Sequence, residues 1–195
     1  MDEIIRPIWL PDRLTDGHIV LDGHTLADAE AHWRGEDDEM RRRFDWPLMR
    51  RVTLEHVQGV MRRWMEARIA GGPMFVCAVR DLAGVLVGGC ELRLIDAERA
   101  NVSYWLYPEH RGRGYAARAL ALLCDAALRV EGVGRLEAHV APDNVASRRL
   151  AERCGFVETG TIEDEDAAGD FLTHLLYIRE VAEAATGRKS SPAAT

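Results

Sequence analysis

The stretch Asn101 to Leu120, NVSYWLYPEHRGRGYAARAL, constrains this chain more than any other. Val102, Tyr104 and Leu106 alternate with Ser103, Trp105 and Tyr107, which is the period of a strand. Pro108 has no N–H to donate, so the ladder ends there. Arg111-Gly112-Arg113-Gly114-Tyr115-Ala116 then opens a helix with an apolar stripe of Leu120, Leu123, Cys124, Ala127 and Leu128. Glycines at a helix start let the backbone approach a ligand closely. The free amides and the positive dipole end favour an anion, phosphate above all. Gly112-x-Gly114-x-x-Ala117 also matches a loose dinucleotide fingerprint. That reading wants the first glycine close behind the strand and an acidic residue at the end of the next one. Here Pro108 to Arg111 intervene, and Glu137 falls inside its strand.

The rest of the chain supplies a sheet around this unit. His18 to Leu21 reads as a strand ending at the turn pair Asp22-Gly23. Thr25, with Asp28 three residues on, can cap a short helix from Leu26 to about Trp33. Arg34 to Pro47 is irregular, with Glu36-Asp37-Asp38-Glu39 running into Arg41-Arg42-Arg43. Such charges either pair on a solvated face or belong to a binding loop. Thr53 to Ala70 is a helix with the stripe Val57, Val60, Met61, Trp64 and Met65, broken by Gly71-Gly72-Pro73. Met74 to Val79, Val85 to Leu94 and Ala100 to Tyr107 form an antiparallel meander. Gly88-Gly89 marks a bulge or a close backbone approach. Arg135 to Val140 returns after a helix, so a right-handed crossover lays it parallel to Ala100–Tyr107. Asp143 or Asn144 can cap a helix ending at Gly155. Phe156 to Gly160 and Phe171 to Arg179 close as a hairpin, joined through the acidic run Glu163–Asp166.

At 195 residues the expectation is a single domain over 1–185, with a polar tail over 186–195. The longest apolar run, Leu82 to Cys90, is too short to span a bilayer, and no signal-peptide pattern opens the chain. A cytoplasmic protein without a membrane partner is expected. Four scattered cysteines read as free thiols, and neither they nor the histidines have metal spacing. A net charge of −7 argues against nucleic acid and suits a cationic acceptor, or merely keeps the chain soluble.

Arg-x-x-Gly-x-Ala after an aromatic strand resembles the acyl-CoA pyrophosphate loop of the GNAT N-acetyltransferase superfamily. YWLYPEHRGRGYAARAL is especially similar to the branch of the RimJ and RimL ribosomal-protein N-terminal acetyltransferases. Asn144-x-x-Ser147 followed by Cys154-Gly155-Phe156 is similar to that family's second CoA-contacting motif. The resemblance covers Met74 to Arg179 well and the first third only by pattern. It implies an α/β (α+β) GNAT fold: a mixed, mostly antiparallel twisted sheet of about seven strands and four helices, with a splayed parallel pair at the cofactor site.

The chemistry implied is acetyl transfer from acetyl-CoA to a primary amine. Main-chain amides of Arg111, Gly112, Arg113, Gly114, Tyr115 and Ala116 would cradle the diphosphate, with charge from the Arg111 and Arg113 side chains. Trp105, Leu106 and Tyr107 would pair with the pantetheine arm, the Leu106 amide facing the thioester oxygen. Asn144 and Ser147 would contact the cofactor. Many relatives carry a tyrosine where this chain has Ala151, so Ser147 becomes the candidate proton donor, its alternative role being local structure. Relatives often carry a glutamate where this chain has Asn101, which leaves Glu91, Glu98 and Glu158 as candidate bases, Glu91 first. The acceptor expected is an α-amino group of a protein or peptide. A polycation such as an aminoglycoside, an antibiotic-resistance role, is the alternative, and a non-catalytic acyl-CoA-binding module is a third reading. The resemblance leaves room for a homodimer.

Overall fold

The computed structural model describes residue 7 and residues 9–43, 52–165 and 171–180. The tail over 186–195 and the far end of the acidic run at Asp166 lie outside these residues. One eight-stranded sheet runs through the chain in the order β1-β2-β3-β4-β5-β6-β8-β7. β1 (Arg13–Thr15), β2 (Ile19–Gly23), β3 (Met74–Asp81), β4 (Leu86–Leu94) and β5 (Arg99–Leu106) form an antiparallel run. β6 (Arg135–Val140) joins β5 parallel, and β8 (Phe171–Glu180) and β7 (Val157–Glu165) complete the far edge as a hairpin. The helices are α1 (Ala29–Gly35), α2 (Asp38–Arg43), α3 (Leu54–Ala70), α4 (Tyr115–Ala127) and α5 (Val145–Arg153).

The sheet separates two cores because successive side chains point to opposite faces. Val102, Leu136, Ala138 and Val140 join Leu120 and Leu123 of α4 and Leu150 of α5 in the larger core, with Tyr104 and Leu106 packed against it. Trp105 and Tyr107, pointing the other way, join Val76 and Ala78 beneath Met40 of α2 and Val57, Met61 and Trp64 of α3. Each fully buried leucine contributes about 2 kcal/mol of transfer free energy. The four cysteines are free, and three of them are buried.

Three expectations shift. The turn before β2 is Asp16-Gly17, where Asp16 Oδ1 accepts from the amides of His18 and Ile19, so β2 runs on through Asp22 and Gly23. α2 forms within the segment read as irregular. β7 continues through Glu163, Asp164 and Glu165 instead of ending at Gly160, because those residues pair with Thr173, Leu172 and Phe171 of β8. Gly88-Gly89 is a close approach: a Cβ on Gly88 would strike the Trp105 carbonyl, and one on Gly89 would enter the Trp105 indole. The register shift itself lies one strand over, between Val79 and Arg80 of β3.

Candidate active site

β5 and β6 pair only over Arg99–Arg135, Ala100–Leu136 and Asn101–Glu137. Beyond that point both strands continue without pairing, so a gap opens in the sheet. The Tyr107 amide donates to Val87 O of β4 at 3.1 Å. Alternation along an antiparallel strand therefore turns the Tyr104 and Leu106 amides the other way, into the gap. A cleft of about 1440 Å³ passes through this gap. On one side it reaches Gly112, Gly114 and Ala116 at the head of α4 and Asn144 and Ser147 at the head of α5. On the other it reaches α1, α2, α3 and the sheet residues Glu91, Ser103, His139 and His174.

The head of α4 is an amide nest. Gly112 and Gly114 have φ of 75° and 80°, the left-handed region that L side chains disfavour. Among the described residues, the amides from Gly112 to Ala117 find no acceptor, the first helical bond being Arg118 N to Gly114 O at 3.3 Å. A Cβ at either glycine would meet no atom within 4 Å, so the space outside these amides is open. Arg111 is excluded from the nest. Its amide donates to Pro108 O, and its guanidinium bonds Leu106 O at 3.1 Å and both oxygens of Asp37 at 2.8 and 3.0 Å. Burial raises the Asp37 carboxyl, but the Arg111 hydrogen bond, the Met40 amide and the Arg111 charge together outweigh that and hold it below its usual range. Arg111 thus straps the start of α2 to the end of β5, which leaves that cation to acids of the same chain rather than to a phosphate.

α5 begins at Asn144, whose Oδ1 accepts from the Ser147 amide at 3.1 Å. Asp143, the other cap candidate, instead pairs with Arg43 of α2 at 2.6 Å. Because the cap uses the main chain of Ser147, its hydroxyl is available, and Tyr104 OH donates to it at 2.9 Å. Burial pushes the Tyr104 phenol above its ordinary value, against the pull of that hydrogen bond.

Nine of the expected site residues line the cleft: Glu91, Trp105, Leu106, Arg111, Gly112, Gly114, Ala116, Asn144 and Ser147. Arg113, Tyr115 and Tyr107 do not. Tyr107 departs furthest. Its amide is bound to Val87, its carbonyl accepts from the His110 amide, and its phenol lies 2.9 Å from His32 Nδ1 in the smaller core. Glu98 and Glu158 are off the cleft, Glu158 accepting from Tyr177 OH at 2.8 Å. Tyr104 was missed as a site residue. Strand periodicity places its side chain on the α5 face, but not opposite Ser147.

The family profile described as Acetyltransferase (GNAT) domain matches residues 18–157, well over half of the chain. This chain belongs to the GNAT acetyltransferase family. As a GNAT protein it is 30% identical over 89 residues to the spermidine N(1)-acetyltransferase of Vibrio cholerae, covering 45% of this chain and 51% of that protein. The chain spans about half the length of the curated relatives it matches. Two solved folds are close. The microcin C7 self-immunity acetyltransferase MccE, in complex with acetyl-CoA and AMP, superposes with a TM-score of 0.75 at 19% identity, over 85% of this chain and 94% of that one. RimL, the ribosomal L7/L12 alpha-N-protein acetyltransferase in complex with coenzyme A, gives 0.74 at 18%, over 88% and 97%. The splayed parallel pair and the mixed sheet that the resemblance implies are those of the fold, with eight strands and five helices among the described residues where about seven and about four were expected. No helix among the described residues is long and apolar enough to cross a membrane.

Proposed function

We propose that this GNAT protein transfers the acetyl group of acetyl-CoA to a primary amine, an α-amino group of a peptide or protein. The observation that carries this is one cleft joining an acceptor-free amide nest at α4, across the β5–β6 gap, to a polar chamber on the opposite face of the sheet. Gly112 to Ala117 fit a diphosphate, since their amides face open space at a positive helix end. The gap-facing amides of Tyr104 and Leu106 fit an extended amide-bearing arm, and Leu106 is our candidate donor to the thioester oxygen. Ser147 is the candidate proton donor to the departing sulfur. Glu91 and the other polar groups of the far chamber receive the amine.

The polycation alternative draws on Glu36, Glu39 and Asp164, which bring both acidic runs to the one cleft. These acids have partners: Arg41 for Glu36, Arg43 and Arg111 for Glu39, and His139 and His174 for Asp164. Six arginines also line the cleft, at 42, 43, 63, 93, 111 and 153; Arg43, Arg93 and Arg111 are held by Asp143, Glu91 and Asp37, whereas Arg42, Arg63 and Arg153 form no ion pair among the described residues. That balance favours a peptide carrying its own carboxylates over a polyamine. The binding-module reading draws on Ala151 and on Asn101 in place of a glutamate; the Tyr104–Ser147 pair offers a hydroxyl from one turn earlier and so answers the first of these only.

The test is thiol release from acetyl-CoA with N-terminal peptides, spermidine and an aminoglycoside. Turnover is expected to be highest with peptides. Spermidine as the best acceptor would move the reading to polyamines, and tight CoA binding without turnover would replace it with the binding module. For the proton donor, Ser147→Ala is expected to lower kcat about 10- to 100-fold while the KM for acetyl-CoA stays within threefold. An unchanged kcat would return Ser147 to a structural role.

A further inference from the structure

The gap carries, on its chamber face, a histidine that sequence spacing does not single out. β5 and β6 last pair at Asn101 and Glu137, and His139 follows one pleat later on the same face as Glu137. Its Nδ1 lies 3.1 Å from Asp164 Oδ2, and that same oxygen lies 2.8 Å from His174 Nδ1. A carboxylate only accepts, so both rings present Nδ1–H to Asp164. A neutral ring in that tautomer keeps its lone pair on Nε2. His139 Nε2 is buried and has no hydrogen-bond partner among the described residues, with Glu137 Oε2 3.7 Å away. A buried nitrogen left without a partner asks for an explanation in function. Metal binding is not that explanation, since no group of three ligating side chains among the described residues could hold an ion.

We propose that His139 is the general base of acyl transfer and that Asp164 is its positioning residue. The assignment rests on the amine-acceptor reading above. His139 Nε2 takes one proton from the acceptor ammonium, which frees the nitrogen lone pair. The nitrogen then bonds the acetyl carbon while the carbon–sulfur bond breaks. The surplus proton on nitrogen balances the departing sulfur, with the Ser147 hydroxyl on the opposite face as carrier, giving an amide and a free thiol. His139 returns its proton to water, so one proton leaves per turnover. Asp164 and Glu137 flank the imidazolium that forms. Glu91 faces the same chamber from β4, but its Oε1 is held by Arg93 at 2.8 and 2.9 Å. The other titratable and charged groups that line the chamber are His174 from β8, Arg93 from β4, His32, Glu36, Glu39, Arg42 and Arg43 from the α1–α2 side, and His56 and Arg63 from α3.

The full chain, acetyl-CoA and the best amine of the panel test this. His139→Gln is expected to lower kcat/KM for the amine about 100-fold, leave the KM for acetyl-CoA within twofold, and remove the acidic limb of the pH–rate profile. Imidazole is expected to restore part of the rate to His139→Gly. Asp164→Asn is expected to lower kcat about tenfold without moving the KM for acetyl-CoA. A readout free of turnover is the ring tautomer. Long-range 15N–1H spectra of the ligand-free protein are expected to show His139 protonated at Nδ1, and a tautomer mixture in Asp164→Asn. An Nε2–H tautomer in the wild type would overturn the assignment even where a variant fails to fold. His139→Gln within threefold of wild type, with the acidic limb intact, would overturn it and leave the amine reading standing. A wild type inert toward every amine would overturn both.

Discussion

Replacing Gly112 and Gly114 together by valine is expected to weaken coenzyme A binding at least 100-fold, the largest effect on ligand affinity we foresee. Two causes act together. At φ of 75° and 80° a non-glycine residue costs about 1–2 kcal/mol per position in the native geometry. Relaxation away from it turns the amides out of convergence. The added side chains also project into the open space outside the amides, where no protein atom lies within 4 Å. Overpacking is therefore not the cause of the loss. A hydrogen bond to a charged group is worth roughly 1.5–3 kcal/mol, so forfeiting two gives about 3 kcal/mol or more, which is two decades in Kd. Titration calorimetry with coenzyme A reads the affinity, and thermal unfolding reads the conformational cost separately. Unchanged affinity in a folded double variant would remove the nest from the cofactor site.

That nest was legible because the signals for it are local. Tyr104 to Tyr107 alternate, Pro108 stops the strand, and two glycines precede an apolar stripe, so strand, loop and helix start follow from neighbouring residues alone. The second motif is legible for the same reason: Asn144 caps α5, and Gly155, with φ of 83°, ends it. α2 was hidden because Asp38 to Arg43 offers Met40 as its one apolar residue. Tertiary contacts build that helix. Met40 sits in the smaller core, Asp37 Oδ1 accepts from the Met40 amide at 2.9 Å, and Arg43 reaches Asp143. The acidic end of β7 looks like a loop by propensity, yet its ladder with β8 overrides that preference.

Side-chain roles were the least legible part. Arg111 stands in a motif that suggests phosphate binding, but its partner Asp37 lies 74 residues earlier. Tyr107 continues the strand's sequence pattern, yet the strand ends by turning its ring toward α1. There Gly35 leaves room: a Cβ on it would meet the Tyr107 ring at 2.5 Å. His139, Asp164 and His174 come from three strands, and no spacing rule links positions that meet only through the order β6-β8-β7. Tyr104 and Ser147 meet across 43 residues in the same way. Motifs report what one segment can do, whereas these contacts depend on which strands the topology brings side by side.

Lowering the pH from 6.5 to 4.5 is expected to remove roughly 2 kcal/mol of stability through His24 alone. His24 follows β2 and is 4% exposed, with neither ring nitrogen hydrogen-bonded among the described residues. Burial, with the like charge of His32, pushes its pKa down to about 3, and Asp28 offsets only part of this. The folded chain therefore keeps the ring neutral at pH values where the unfolded chain protonates it. The unfolded state binds the extra proton below pH 6.5, so the contribution is complete above that value and drains as pH falls toward 3. Asp28 acts later. Burial raises its carboxyl, the hydrogen bonds from Arg80 at 2.8 Å together with the Thr25 amide and the Arg80 charge outweigh this and hold it at about 2, and its share is lost only below about 3.8. Urea midpoints at pH 7, 5.5 and 4.5 for the wild type and His24→Phe separate the two. The variant is expected to lose about 1 kcal/mol at pH 7 from overpacking and to show a flatter pH slope. Equal slopes would mean that His24 is not the group responsible. The consequence reaches the cleft, because the His24 ring lies parallel to Trp105 at 6.4 Å and Trp105 lies on β5 where that strand borders the gap. A proton taken up by His24 is placed directly beneath the strand whose Tyr104 and Leu106 amides face the gap, so, if that gap holds the cofactor as proposed, the KM for acetyl-CoA is expected to rise over the same interval of pH, and to rise less in His24→Phe.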